Sequence, residues 1–291
     1  MIESKSMGDK IFSSIVYSVM GLFSLLCLYP MLHVLFASFS DPMKLMLHKG
    51  VLFHPLGFSL EGYKVVFQNP SVPVSYLNTI FYVTLGTAIN MIFTTFGAYA
   101  LSRKGYMFKK TITFLIVFTM YFSGGLIPNF LLVKQLDLYN TVWALVLPGA
   151  ISTWNLIVMK TSFQAIPASL EESARIDGAN DFVILWKIFL PVAKATLAVM
   201  ILFYAVGHWN SWFNAMVYLR DRGKYPLQLI MREILISNSS SGNTMQDSDT
   251  LFLEEIIKYA TIVIATVPIL FIYPFAQKYF MTGVMMGSLK E

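Results

Sequence analysis

Charge is what this chain has least of. Only 13% of its 291 residues are Asp, Glu, Lys or Arg, while 56% are hydrophobic. An ordinary soluble domain carries about 25% charged residues. A soluble fold of this size could not hide so much apolar surface, so composition selects an integral membrane protein. The single cysteine, Cys27, excludes an intramolecular disulfide and a cysteine-built metal cluster. No GxxxxGK(S/T) phosphate loop occurs, so the chain lacks the usual cradle for ATP phosphates. No HExxH motif occurs either, and His33, His48, His54 and His208 are too scattered to suggest a metal site. A net charge of +5 suits loops facing anionic lipid headgroups and calls for no nucleic acid.

What the chain does have is long apolar runs. Six of them, about 11–37, 76–101, 111–133, 141–160, 193–219 and 257–281, are each long enough to cross the hydrocarbon layer, which takes about 20 helical residues. They are continuously apolar, without the alternation of a barrel strand, so the expected fold class is an all-α membrane protein of six transmembrane helices in one domain. The first run follows Lys5 and Lys10 but is too long for a signal-peptide core, and a retained anchor helix is expected. Orientation follows the Lys/Arg bias of short loops. Loop 102–110 holds Arg103, Lys104, Lys109 and Lys110, whereas loop 134–140 holds only Lys134. That puts 102–110 and both termini in the cytoplasm. Arg220, Arg222, Lys224 and Arg232 then fall outside, against the rule, in a longer loop that weighs less in it.

One charged segment interrupts the apolar pattern. Residues 171–191 read EESARIDGANDFVILWKIFLP and belong on a membrane surface. Pro167 can open a helix, and Ser169-x-x-Glu172 has capping-box spacing. Glu171 and Arg175 stand four apart and can pair, and Leu170 with Ala174 gives the helix an apolar side. Gly178 suits a left-handed stop. Asp181 can cap a second helix carrying Phe182, Leu185, Trp186 and Phe189, which Pro191 then breaks. Two short helices at an angle are expected within 161–192. On the residues alone, an amphipathic surface connector with no partner remains open.

The spacing Glu172-Ser173-Ala174, three residues, Gly178, nine residues, Ile188-x-Leu190-Pro191 resembles the EAA loop of importer permeases of the ATP-binding cassette (ABC) superfamily. The stretch 175–179, Trp209-Asn210 with Phe213, and Gly283-x-x-x-Gly287-Ser288-Leu289-Lys290 resemble the maltose-type carbohydrate class, close to the second permease of oligosaccharide systems. Ser173 replaces the usual first alanine. The resemblance implies a type I ABC importer permease fold and a heterodimer with a second permease. It also implies two cytoplasmic ABC ATPase subunits, an extracytoplasmic solute-binding protein and an oligosaccharide substrate, all at a bacterial inner membrane. It implies no enzyme activity and no cofactor in this chain, ATP and Mg being used by the ATPase subunits. Coupling falls to Glu171, Glu172, Ser173, Ala174, Arg175, Asp177, Gly178, Leu190 and Pro191, with Glu172 contacting the ATPase and Gly178 setting the angle.

Sugars take hydrogen-bonding amides and flat aromatic faces. Residues 208–214 supply both, and Trp209, Asn210, Phe213 and Asn214 are the candidates for the sugar path, with interhelical packing as the alternative. Asn78, Asn90, Thr94, Thr95, Tyr99, Ser123, Asn129, Asn155 and His208 are further polar groups in the apolar runs, with packing as their expected role. The loop cations suit either a uronate-containing oligosaccharide, an acidic binding-protein surface or plain solvent. Loop 220–256, with its Ser/Asn/Gly stretch at 237–243, could reach into the binding protein or be a surface loop. Two rival classes lack their residues: an ion-coupled secondary transporter has no buried carboxylate, and a polytopic enzyme on lipid-linked sugars has no Asp/Glu/His cluster.

Overall fold

The computed structural model describes residues 7–103, 105, 107–240, 255–271 and 274. Helices and turns account for the regular structure, with no strand among the described residues. The chain divides into two compact units, Met1–Asn69 with Glu233–Thr266, and Pro70–Arg232 with Val267–Glu291.

The first unit is dominated by α1 (Met7–Ser38), 32 residues and, at 1.5 Å per residue, about 48 Å long. It is apolar on every side. Only Ala37 and Ser38 are buried, and Phe12, Phe23, Leu25 and Leu26 stand exposed. Such a helix is at home in hydrocarbon or against another apolar helix. α2 (Pro42–Leu47) starts at Asp41, whose carboxylate accepts from the Lys44 N–H at 3.1 Å. α3 (Glu61–Gln68) and the helical stretch 255–266 also belong to this unit. Ala37, Leu45 and Leu52 form a small core with Phe36, Leu56 and Tyr259.

In the second unit, α4 (Ser71–Ser102), again 32 residues, is the central post. α5 (Lys109–Tyr121) and α6 (Leu126–Gln135) meet at 115°. The run 111–133 is therefore not one straight helix. Gly125 at φ +83 turns the backbone through a conformation other residues avoid, and its N–H donates to Ser123 Oγ at 3.2 Å. α7 (Trp143–Val146) and α8 (Thr153–Gln164) share the run 141–160, parted by Pro148-Gly149. α9 (Ala168–Ile176), α10 (Asp181–Ile184), a π-helical turn (Leu185–Phe189) and α11 (Leu190–Val192) make up the charged segment. α12 (Lys194–Trp209) leaves Asp181–Val192 at 85°. α13 (Phe213–Tyr218) follows, and then the start of α14 (Leu227–Ser240), a helix within which the division between the units falls, after Arg232. α8 and α12 pack along α4, around a core of Ala98, Met159, Phe163, Ile184, Phe189 and Met200.

Among the described residues, α1 and α4 are each long and apolar enough to cross a membrane alone, and the pairs α5–α6 and Asp181–Val192 with Lys194–Trp209 pass only as bent units. The last part of the run 257–281 and the 283–290 motif lie outside the described residues, as does 241–254 of the loop 220–256.

The ends of α4 separate two loops. Arg103 follows its last turn. Near its other end Asn78 donates to the Gly223 and Tyr225 carbonyls at 2.7 and 3.1 Å, and the Tyr82 hydroxyl to the Lys224 carbonyl at 2.7 Å. Tyr82 and Arg103 are 21 positions apart, about 32 Å along a helix, close to the ~30 Å hydrocarbon thickness. The two sets of cations that disagree over orientation thus sit at opposite ends of one post.

Candidate functional site

The charged segment is a braced elbow. Pro167, at φ −56 and ψ 133, leads into α9 without any side-chain cap. The expected capping box does not form, because the helix already begins at Ala168 and leaves Ser169 inside its first turn. α9 ends in a Schellman arrangement: Gly178 N–H donates to Arg175 O at 3.1 Å and Ala179 N–H to Ala174 O at 2.9 Å. Gly178 takes φ +80, as expected from a left-handed stop. Asn180, and not Asp181, caps the second arm, its Oδ1 accepting from Val183 N–H at 2.9 Å. Asp181 is one residue too late to cap and turns to Arg175 instead. The π-helical turn stands directly before Leu190-Pro191, where Pro191 has no N–H to offer the Lys187 carbonyl.

Charge pairing holds the elbow. Glu171 Oε1 accepts from Arg175 Nη2 at 3.0 Å, and Arg175 Nη2 also donates to Asp181 Oδ1 at 2.6 Å. One guanidinium therefore ties the first arm to the second. The hydrogen bond from Glu171, followed by the field of Asp181, holds the Arg175 pKa above the ordinary arginine value, so this tie does not titrate on its basic side. Arg103 also donates to Glu171, and Tyr99 donates to Asp181 at 3.3 Å.

Exposure then divides the predicted residues. Ala174, Ile184, Leu185 and Phe189 are buried against α4 and α8. Leu190 is half-buried and Pro191 exposed. Glu172, Ser173, Ile176 and Asp177 face outward, with Phe182 and Trp186 on the second arm. Glu171 does not join the free face, because both of its oxygens are engaged within the chain.

Elsewhere along α4 lies an open cavity of about 760 Å³ lined by Ser152, Asn155, His208, Asn210, Ser211 and Asn214, with apolar neighbours from α12. Among the described residues, no Asp, Glu, Lys or Arg lines it. Asn90 organises one wall: its Nδ2 donates to the Gly149 and Ala150 carbonyls at 2.7 and 2.9 Å. Its Oδ1 must then accept from His208 Nε2, 2.6 Å away, which fixes the proton on that nitrogen. Tyr204 bonds Thr94 Oγ1 at 2.6 Å and receives the Ser152 N–H at 3.1 Å. Asn210 and Asn214 line the cavity. Trp209 and Phe213 do not. Trp209 is buried edge-on against Tyr76, with ring centres 5.8 Å apart, because one residue of helix turns the side chain by 100° away from Asn210. Phe213 packs against Trp212.

Two residues gain roles that sequence reasoning missed. Asn155 is 6% exposed and lines the cavity, and no side-chain hydrogen bond is seen for it among the described residues. Arg103 counted only as a vote for orientation. The loop cations are largely spoken for. Lys224 Nζ donates to Asn140 O at 2.9 Å and lies 3.6 Å from Asp221, and Arg232 stacks 3.6 Å over Trp212.

Long apolar helices joined by a braced polar elbow define a multi-pass membrane protein. Residues 100–285 match the family described as binding-protein-dependent transport system inner membrane component, and the chain belongs to that family, whose members are transporter permeases. It is 43% identical over 98% of its length, and 100% of the relative's, to the polygalacturonan/rhamnogalacturonan transport system permease protein YtcP of Bacillus subtilis (strain 168). It is 42% identical to Protein LplC of the same organism, covering 90% of this chain and 88% of that one. Among solved structures it superposes, with a TM-score of 0.85 and 35% identity over 95% of this chain and 99% of the other, on a chain of a bacterial ABC transporter involved in the import of the acidic polysaccharide alginate.

Proposed function

We propose that this chain is one of two different permeases of an ATP-driven, binding-protein-dependent oligosaccharide importer in a bacterial plasma membrane. It spans six times with both termini inside. α9 is the lever, seated in a cleft of a cytoplasmic ABC ATPase. The observation that carries this is the division of the elbow into a braced inner face, with Glu171, Arg175 and Asp181 joined, and a free outer face headed by Glu172. A ligand shifts a two-state equilibrium only through differential contacts, and a rigid docked helix gives ATP binding such a contact. The Lys/Arg bias of the short loop 102–110 over loop 134–140 is what supports the assigned orientation.

The substrate we assign is a uronate-containing oligosaccharide, on the strength of relatives whose names specify polygalacturonan/rhamnogalacturonan and alginate. The amide-lined cavity is this subunit's wall of the path, with Asn155, Asn210 and Asn214 meeting sugar hydroxyls. Its described lining carries amides, hydroxyls and an imidazole, groups suited to sugar hydroxyls. The test is reconstitution with the sister permease, ATPase and binding protein in proteoliposomes. ATP-dependent uptake of labelled trigalacturonate in preference to maltotriose is expected. Uptake driven by an ion gradient without ATP would overturn the importer mechanism, and equal uptake of maltotriose the uronate assignment.

A further inference from the structure

We infer that Arg103 is the joint through which the elbow moves α4, a positioning role that rests on the coupling reading above. α4 ends at Ser102, and the backbone leaves the helix at Arg103. Lys109 Nζ then donates to Arg103 O at 2.8 Å, securing the departing strand of chain. The guanidinium itself is held by three separate elements. Its Nε and Nη2 donate to Ser102 Oγ of α4 at 3.1 and 2.8 Å, and its Nη1 donates to Glu171 of α9. Its central carbon lies 4.8 Å from the ring centre of Tyr99 on α4 and 4.1 Å from that of Phe189 on the second arm. Planar stacking and forked donation together are what an arginine supplies and a lysine does not.

Arg103 thus touches α4 and both arms of the elbow. The side chain is 17% exposed, and that of its partner Glu171 21%. The elbow would dock through Glu172 and transmit through Glu171, two neighbouring carboxylates with different tasks. Docking moves α9, and the Arg103–Glu171 pair, with Phe189 behind it, carries that motion into the last turn of α4. Without the pair, the ATPase would still seat and turn over while the path follows it poorly.

The experiment uses the full complex in proteoliposomes with the variants Arg103→Gln, Glu171→Gln, their double, and Glu172→Gln. The first two should retain the ATPase subunits on purification and raise the ATP hydrolysed per trigalacturonate imported by at least ~5-fold, the low end of ordinary coupling free energies. The double should fall short of the sum of the singles, since both singles remove the Arg103–Glu171 contact while each also disturbs contacts of its own. Glu172→Gln should lose ATPase subunits instead. An unchanged ratio in Arg103→Gln, additive losses in the double, or loss of ATPase in Glu171→Gln would each overturn the joint. If Arg103→Gln fails to assemble, Glu171→Gln reads the same contact. Hydrogen exchange of the 168–176 amides separates this inference from the coupling reading. Faster exchange in both single variants is expected whether or not ATP is used, and unchanged exchange refutes the joint even where transport is intact.

Discussion

His208 lies directly against Gly86. A Cβ placed on that glycine would fall 2.4 Å from Nε2, closer than real contacts allow. The same nitrogen donates to Asn90 one turn along α4. The absence of one carbon atom at position 86 therefore decides how closely α12 approaches the post and where the wall of the cavity stands.

Gly86→Ala should push the His208 ring off Asn90 and cost about 1–3 kcal/mol as overpacking. Detergent-solubilised complex should melt a few degrees lower, and trigalacturonate uptake should fall. Adding His208→Ala should return much of the lost stability, because the clash is then gone. A Gly86→Ala protein with an unshifted melting temperature would show that the helices can part there without cost.

Gly178 is a different kind of glycine. Nothing lies within 4 Å of a Cβ built there, so its constraint is the φ of +80 alone. Gly178→Val should cost about 1–2 kcal/mol for the left-handed backbone and impair transport by opening the Schellman turn. Gly178→Asn, which tolerates that conformation, should keep most of the activity. Equal transport by the two variants would mean that the angle of the elbow does not matter.

Asn155 lines the cavity with an amide for which no hydrogen bond is seen among the described residues. Asn155→Leu should weaken sugar passage by the worth of one neutral hydrogen bond, about 0.5–1.5 kcal/mol, read as a rise of about 2–10-fold in the half-saturating trigalacturonate concentration. Asn90→Leu should instead lower the melting temperature, since its amide holds two backbone carbonyls and His208. Reversed outcomes would exchange the two roles.

The elbow was the most legible part of the molecule because its signals are local. Gly178, Pro167 and the Glu171–Arg175 spacing act within a turn or two, and each behaves as its chemistry dictates. Asn180 beat Asp181 to the cap by a shift of one residue, which pattern reading does not resolve. Contacts across long sequence separations were not legible. Nothing in the spacing of Arg103 and Glu171 says that they meet 68 positions apart, nor that Trp209 turns to Tyr76 while its neighbour Asn210 faces the cavity. The bend within 111–133 was half visible in Gly124-Gly125 and Pro128, residues common enough in membrane helices to pass as ordinary.

The unbroken length of α4 has a mechanical consequence. At about 48 Å, a tilt of roughly 10° about its Ser102 end would swing its Ser71 end through about 8 Å. The Asn78 and Tyr82 bonds would carry the Gly223–Tyr225 turn along with it. One stiff rod can thus magnify a small displacement on one face of the membrane into an opening wide enough for a sugar ring on the other.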